Sequence, residues 1–171
     1  VQEAQRVYAE RKVRGIIFLG GCHADWDDKL RVLPIPCVYS TVNAASSKAE
    51  NVSSVSVDDR RGARQAVDYL FSCGHRELLI LGGETQGWNT ANQRYKGVCD
   101  SFRARGRQLE EARYLTSPFS FADAYKAIRS YNGPSYTAVF AMSDTMAIGA
   151  CRALLDMGLQ IPRDVSVIGY D

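Results

Sequence analysis

Short apolar runs alternate with helix-spaced apolar positions along the whole chain, and the alternation is clearest towards its carboxyl end. Thr137–Met142 is a short apolar run suited to a strand covered on both faces. At Ser143 and Asp144 the hydrophobicity stops and two good helix-capping side chains follow each other. Ala147, Ala150, Cys151, Leu154 and Leu155 then recur at helical spacing, until Gly158 closes the helix and Pro162 prevents its resumption. Val165–Tyr170 is a second apolar run and ends on an acid, Asp171. A strand–helix–strand unit of this length predicts a right-handed crossover in a parallel sheet. Ser143, Asp144 and Asp171 then fall at the carboxyl ends of the strands, the edge at which open α/β sheets bind ligands.

The same alternation holds upstream. Val1–Val13 predicts a helix with Ala4, Val7 and Tyr8 on one side, and Gly15–Gly21 a buried strand. A loop, 22–28, leads into a short helix ending near Leu33; Pro36–Ser40 is a brief strand and Thr41–Ser53 a polar loop. Ser54–Val57 leads to Asp58 and Asp59, either of which can cap a helix carrying Ala63, Ala66, Val67, Leu70 and Phe71 and stopping at Gly74. Glu77–Gly82 predicts a strand, and Tyr95, Val98, Cys99 and Phe102 a helix ending at Gly106. Tyr114–Thr116 reads as a strand. Phe119–Tyr131 holds a helix with Ser120 and Asp123 spaced as a capping pair. Strands and helices alternating in this way predict a doubly wound α/β fold. The runs GIIFLGG (15–21) and LLILGG (78–83) echo each other, which suggests two similar lobes with a boundary near Cys73.

Composition narrows the function classes. A chain of 171 residues, 46% hydrophobic and 23% charged, has room for one domain or two small lobes. The net charge of +2 gives no electrostatic footprint for nucleic acid. Five cysteines, odd in number and mostly beside apolar runs, favour buried reduced thiols in a cytoplasmic protein over a disulfide scaffold. No apolar run approaches the roughly 20 residues of a membrane span, and no signal-peptide pattern opens the chain.

Gly82, Gly83 and Gly87 do not match the spacing of a dinucleotide-binding loop, so a tight turn after the strand is the expectation, with no cofactor. Cys22, His23, Asp25, Asp27 and Asp28 could all ligate metal, but no second cluster completes a site, and an acidic helix start explains the aspartates without one. His75 is expected to pack at a helix-to-strand corner. Arg94 reads as opening a helix, where it opposes the dipole; it therefore needs another purpose, or full exposure. A guanidinium fork at a sheet edge suits sugar hydroxyls, a carboxylate or a phosphate. Phe119 is either a core anchor or a ring on which a flat ligand stacks; Trp88 reads as a loop residue. Asp171 could accept from ligand hydroxyls or cap a following helix. No acid, base and nucleophile assemble, so an enzyme is not expected. A Rossmann oxidoreductase stays a weak alternative.

The segments VRGIIFLGG, PCVYS, SVSVDDRRGARQAVDYLFSCGHRELLILGG, RYKG (94–97), SPFSFADAY, SDTMAIGA and VSVIGYD, in that order, resemble the effector-binding region of the LacI/GalR family of transcriptional repressors. The resemblance implies two doubly wound parallel-sheet lobes of the type I periplasmic-binding-protein architecture, with residues 1–72 part of the N-terminal lobe and 73–171 most of the C-terminal lobe. It implies a small carbohydrate or nucleoside-like effector between the lobes. Arg94 falls at the family's effector-binding arginine, Asp171 at its ligand-contacting acid and Phe119 at its packing aromatic. Ser143 stands where many members have an asparagine, Asp144 is expected to cap the helix, and Asp58 resembles an acid on the inter-lobe side of the N-terminal lobe. The family's helix-turn-helix headpiece and hinge helix are not in this sequence, nor are the first strand and helix of the N-terminal lobe. The implied chain is thus an incomplete domain that meets operator DNA only through the headpiece, works as a homodimer, and has no membrane partner. A periplasmic sugar-binding protein of a transporter is the alternative with the same fold.

Overall fold

The computed structural model describes residues 2–20, 30–41, 47–87 and 89–171. The Cys22–Asp28 cluster and Trp88 therefore lie outside the described residues. The chain divides into two compact units, 1–58 with 88–90, and 59–87 with 91–171.

In the first unit, helix α1 (Gln2–Arg11) precedes three parallel strands, β1 (Ile16–Leu19), β2 (Cys37–Ser40) and β3 (Val52–Val55), in the order β1-β2-β3. Ile16 faces Cys37 and Cys37 faces Val52 across the ladders. Side chains two apart share a face, so Ile16, Phe18, Cys37, Tyr39 and Val52 pack with Ala4, Tyr8, Leu30 and Leu33. Asn51 braces the entry to β3: its side-chain amide donates to the carbonyls of Leu30, Leu33 and Ile35 at 3.1, 2.9 and 3.1 Å. Two expectations need correction. The strand reaches back to Val52, within the stretch read as polar loop. The run 15–21 is covered on one face only among the described residues, since Ile17 and Leu19 are exposed.

The second unit is doubly wound. Helix α2 (Asp59–Ser72), β4 (Leu78–Gly82), α3 (Thr90–Arg103), β5 (Tyr114–Thr116), α4 (Phe121–Arg129), β6 (Ala138–Ala141), α5 (Asp144–Asp156) and β7 (Ser166–Ile168) follow one another, and the parallel strands order β5-β4-β6-β7. β4 and β6 are buried throughout. Leu79, Leu81, Val139 and Ala141 face Ala124, Ile128, Met146 and Leu154 of α4 and α5. Leu78, Ile80, Ala138 and Phe140 face Ala63, Val67 and Phe71 of α2 and Val98 and Phe102 of α3. The helix 59–72, assigned by the resemblance to the N-terminal lobe, thus packs on the second sheet.

The ends of the elements follow the sequence signals. Ser120 accepts from the Asp123 amide at 3.1 Å. After α5, Gly158 (φ 80°) and Leu159 donate back to Leu155 and Leu154 at 2.9 and 3.0 Å, the paired bonds of a glycine helix stop. His75 lies at the corner before β4, its Nδ1 2.9 Å from the Thr137 hydroxyl. Among the described cysteines, burial is less uniform than expected: Cys37 is buried, with its thiol pKa pushed up by desolvation, whereas Cys73 is exposed.

Candidate ligand site at the carboxyl edge of the second sheet

Strand order sets the place. β4 is followed by α3 on one face of the sheet, and β5 and β6 by α4 and α5 on the other. The connections diverge there, and the carboxyl ends of β4 and β6 are the edge at which sheets of this topology form a ligand crevice.

Arg94 lies at that edge, but not in the first turn of a helix. α3 begins at Thr90, and Arg94 shares the inward stripe of Ala91, Val98, Ser101 and Phe102. The dipole objection therefore lapses, and another question replaces it: what compensates an inward cation? The structure provides three partners. Nε donates to Asp59 Oδ1 at 2.8 Å, in a pair whose side chains are 12% and 9% exposed. Nη1 donates to the Met142 carbonyl at the end of β6. The guanidinium carbon stands 4.4 Å from the centroid of the Tyr170 ring, after β7, within cation–π range. Among the described residues Nη2 has no hydrogen-bond partner.

Glycines make this convergence possible. A Cβ at Gly97 would run into the Arg60 carbonyl oxygen, so the Arg-x-x-Gly spacing places the guanidinium one turn from a close crossing of α3 over α2. A Cβ at Gly62 would meet the Tyr170 ring, which leaves α2 flat where that ring lies. Outside the crossing, Arg60 grips Asp100 with Nε and Nη2 at 2.5 and 2.9 Å. These bonds hold the Asp100 carboxyl below the usual carboxylate range.

The other expected residues are distributed as follows. Phe119, after β5, is 44% exposed, and its ring Cε2 lies 2.5 Å from where a Cβ on Gly83 would be. It is a half-exposed ring seated on backbone, which suits both readings of it. Gly87 (φ 81°) bends the loop after β4, in line with the turn read there, whereas Gly82 and Gly83 have no positive φ and make room for Met142 and Phe119. The Tyr114 hydroxyl donates to the Gly83 carbonyl at 2.6 Å; burial, then neighbouring Tyr95 and Glu84, push its pKa up. Ser143, not Asp144, caps α5, accepting from the Met146 amide at 3.2 Å. Asp144 occupies the first helical position, exposed, with its carboxylate against Gly169. Asp171 is exposed at the same edge. Asp58 is exposed at the end of the first unit.

Asp59 and Tyr170 are the residues that sequence reasoning passed over. By sequence Asp59 is equally well a helix cap, as any acid between a strand and a helix is. The signal was Arg94 at a core-stripe position, since an inward arginine requires an anion.

The periplasmic binding protein-like domain model matches residues 67–171. The chain is 30% identical to the HTH-type transcriptional regulator MalR of Clostridium butyricum over 95% of its own length. It spans about half the length of the curated relatives it matches. Among solved structures, the transcriptional regulator CelR–cellobiose complex superposes with a TM-score of 0.85 at 29% identity, over 99% of this chain and 52% of that one. A LacI-family transcriptional regulator from Enterococcus faecium with bound ribose gives 0.79 at 26%, over 99% and 61%.

Proposed function

Since the chain belongs to the periplasmic-binding-protein-like domain family, in the form carried by LacI-family transcriptional regulators, we propose that it is the effector-sensing core of such a regulator, a cytoplasmic homodimer in its intact form. Its effector is a small sugar or nucleoside-like molecule held at the carboxyl edge of the second sheet. Arg94 donates to a ligand oxygen, Asp171 accepts from ligand hydroxyls, Phe119 supplies an apolar face and Ser143 a hydroxyl. One observation carries the reading: Arg94 is pinned by Asp59, Met142 and Tyr170, with Nη2 left without a hydrogen-bond partner among the described residues. A donor held by three partners loses little freedom when a ligand arrives, which is the economy of a preorganised site. The cellobiose and ribose complexes of the similar regulators support a carbohydrate. The relatives' names support a regulator over a transporter's periplasmic protein.

In the intact protein, effector binding changes operator affinity only as far as the ligand prefers one conformation to the other. No proton transfer or covalent step is needed.

The test is thermal denaturation of the intact protein with monosaccharides, disaccharides and nucleosides. A ligand that binds only the native state, at about 100 times its Kd, adds about 2.7 kcal/mol. One class raises the midpoint; Arg94→Ala, compared with its own ligand-free baseline, abolishes the rise, and Asp171→Asn weakens binding about tenfold. A rise that survives Arg94→Ala, or the absence of any rise, refutes the assignment.

A further inference from the structure

We propose that Asp59 sets the charge selectivity of this site. By neutralising and positioning Arg94, it makes the crevice accept an uncharged polyhydroxylated ligand and reject the phosphorylated or carboxylated counterpart. The inference rests on the effector reading above and goes beyond it by naming the ligand's charge.

An unencumbered arginine at a sheet edge is an anion receptor, because its paired N–H donors match two oxygens of a phosphate or carboxylate. Arg94 is not unencumbered. Its charge is met by the Asp59 carboxylate at 2.8 Å, in surroundings where both side chains are about nine-tenths buried. Solvent screens a pair so placed far less than it does a surface pair. Nε is spent on Asp59 and one N–H of Nη1 on the Met142 carbonyl, so the side-on pair of Nε with Nη2 cannot grip an anion. The N–H groups of Nη2 remain, and separate donors of this kind suit hydroxyl oxygens.

The rest of the edge has the same sign. Residues 83–87, 117–120, 142–144 and 169–171, which follow the four strands, include Glu84, Asp144 and Asp171 but neither lysine nor arginine. Of the cations in the first turn of α2, Arg60 is tied to Asp100 on the outer side. Arg61 lies about 200° round the helix from Asp59, away from the buried stripe of Asp59, Ala63 and Val67. Lys96 is offset from Arg94 by the same angle on α3 and is exposed. The amino ends of α4 and α5 favour anions. Each already has an acid in its first turn, Asp123 or Asp144, and a serine cap on one of its amides. An incoming phosphate or carboxylate therefore meets carboxylates and a neutralised arginine.

The test uses the intact protein and calorimetric titration with matched pairs: glucose against glucose 6-phosphate and glucuronate, ribose against ribose 5-phosphate, and adenosine against its 5′-monophosphate. In the pair that binds, the neutral member is expected to bind at least tenfold more tightly than the anionic one. Asp59→Asn keeps a carbonyl oxygen for Nε but removes the charge, so it narrows that preference about tenfold, mainly by strengthening the anionic member. A purely structural role would weaken both members together and leave their ratio unchanged. An anionic member that binds the wild-type protein as tightly as its neutral partner overturns the proposal and leaves the effector reading standing, as does a ratio unmoved by Asp59→Asn. If no pair binds, the effector reading fails and the selectivity proposal with it. Should Asp59→Asn not fold, the wild-type ratios decide alone.

Discussion

At the residue scale, Ser143 shows how one hydroxyl can serve two readings. As the cap of α5 it accepts from the Met146 amide, but a hydroxyl that accepts can still donate. Removing a serine cap costs about 1 kcal/mol. Ser143→Ala should therefore lower the unfolding free energy by about that much in urea titrations. If the hydroxyl also donates to the effector, affinity should fall several-fold beyond any change in stability. A loss of stability with unchanged affinity would confine Ser143 to capping. Arg94 and Asp59 present the opposite case, two charged groups each placed by the other. Removing either alone strands a buried charge, a change that typically costs 3–5 kcal/mol.

Elements decide whether such side chains can meet. α2 and α3 approach closely because Gly97 has no Cβ where the Arg60 carbonyl passes. Gly97→Ala puts a methyl group against backbone, which cannot rotate away, so the helices must part. Overpacking of this kind costs about 1–3 kcal/mol, and parting α2 from α3 also draws Asp59 away from Arg94. Both effects are measurable: a lower urea midpoint, and weaker binding of whichever ligand the wild-type protein takes. A Gly97→Ala protein with wild-type stability would show that the crossing is not this close.

For the whole molecule, the paired carboxylates of the second unit set its acid limit. The hydrogen bonds from Arg60 hold Asp100 below its ordinary value. For Asp68, burial alone would raise the pKa, but hydrogen bonds from Ser101 and Arg105 outweigh it and the net direction is down. Groups whose folded pKa lies below the unfolded value, about 3.9 for aspartate, stabilise the fold above that value and lose the contribution as pH falls through the folded pKa. These two carboxylates therefore leave the urea midpoint level between pH 5 and 7, on an order-of-magnitude reckoning, and lower it below about pH 4. Asp100→Asn should reduce that acid loss. A midpoint that falls equally in the variant would assign acid sensitivity to other groups.

Much of this protein is determined locally, and so was legible in the chain. The αβ alternation, the caps at Ser120 and Ser143, the stops at Gly74, Gly106 and Gly158, and the parallel sheet of the second unit follow from periodicity and turn chemistry acting over a few residues. The position of Arg94 after β4, at the carboxyl edge of the sheet, was legible in the same way, and the family resemblance pointed to it too. Its partners were not. Asp59, Met142 and Tyr170 lie 35, 48 and 76 residues away along the chain (94 − 59, 142 − 94 and 170 − 94), and only packing of α2, α3, β6 and β7 brings them to one guanidinium. Nor could pattern alone tell that Gly83 seats a ring or that Gly97 admits a helix. A missing side chain acquires meaning only from what comes to lie against it. Local rules place a residue on an element, whereas long-range contacts decide the charge, the freedom and the partners it has there.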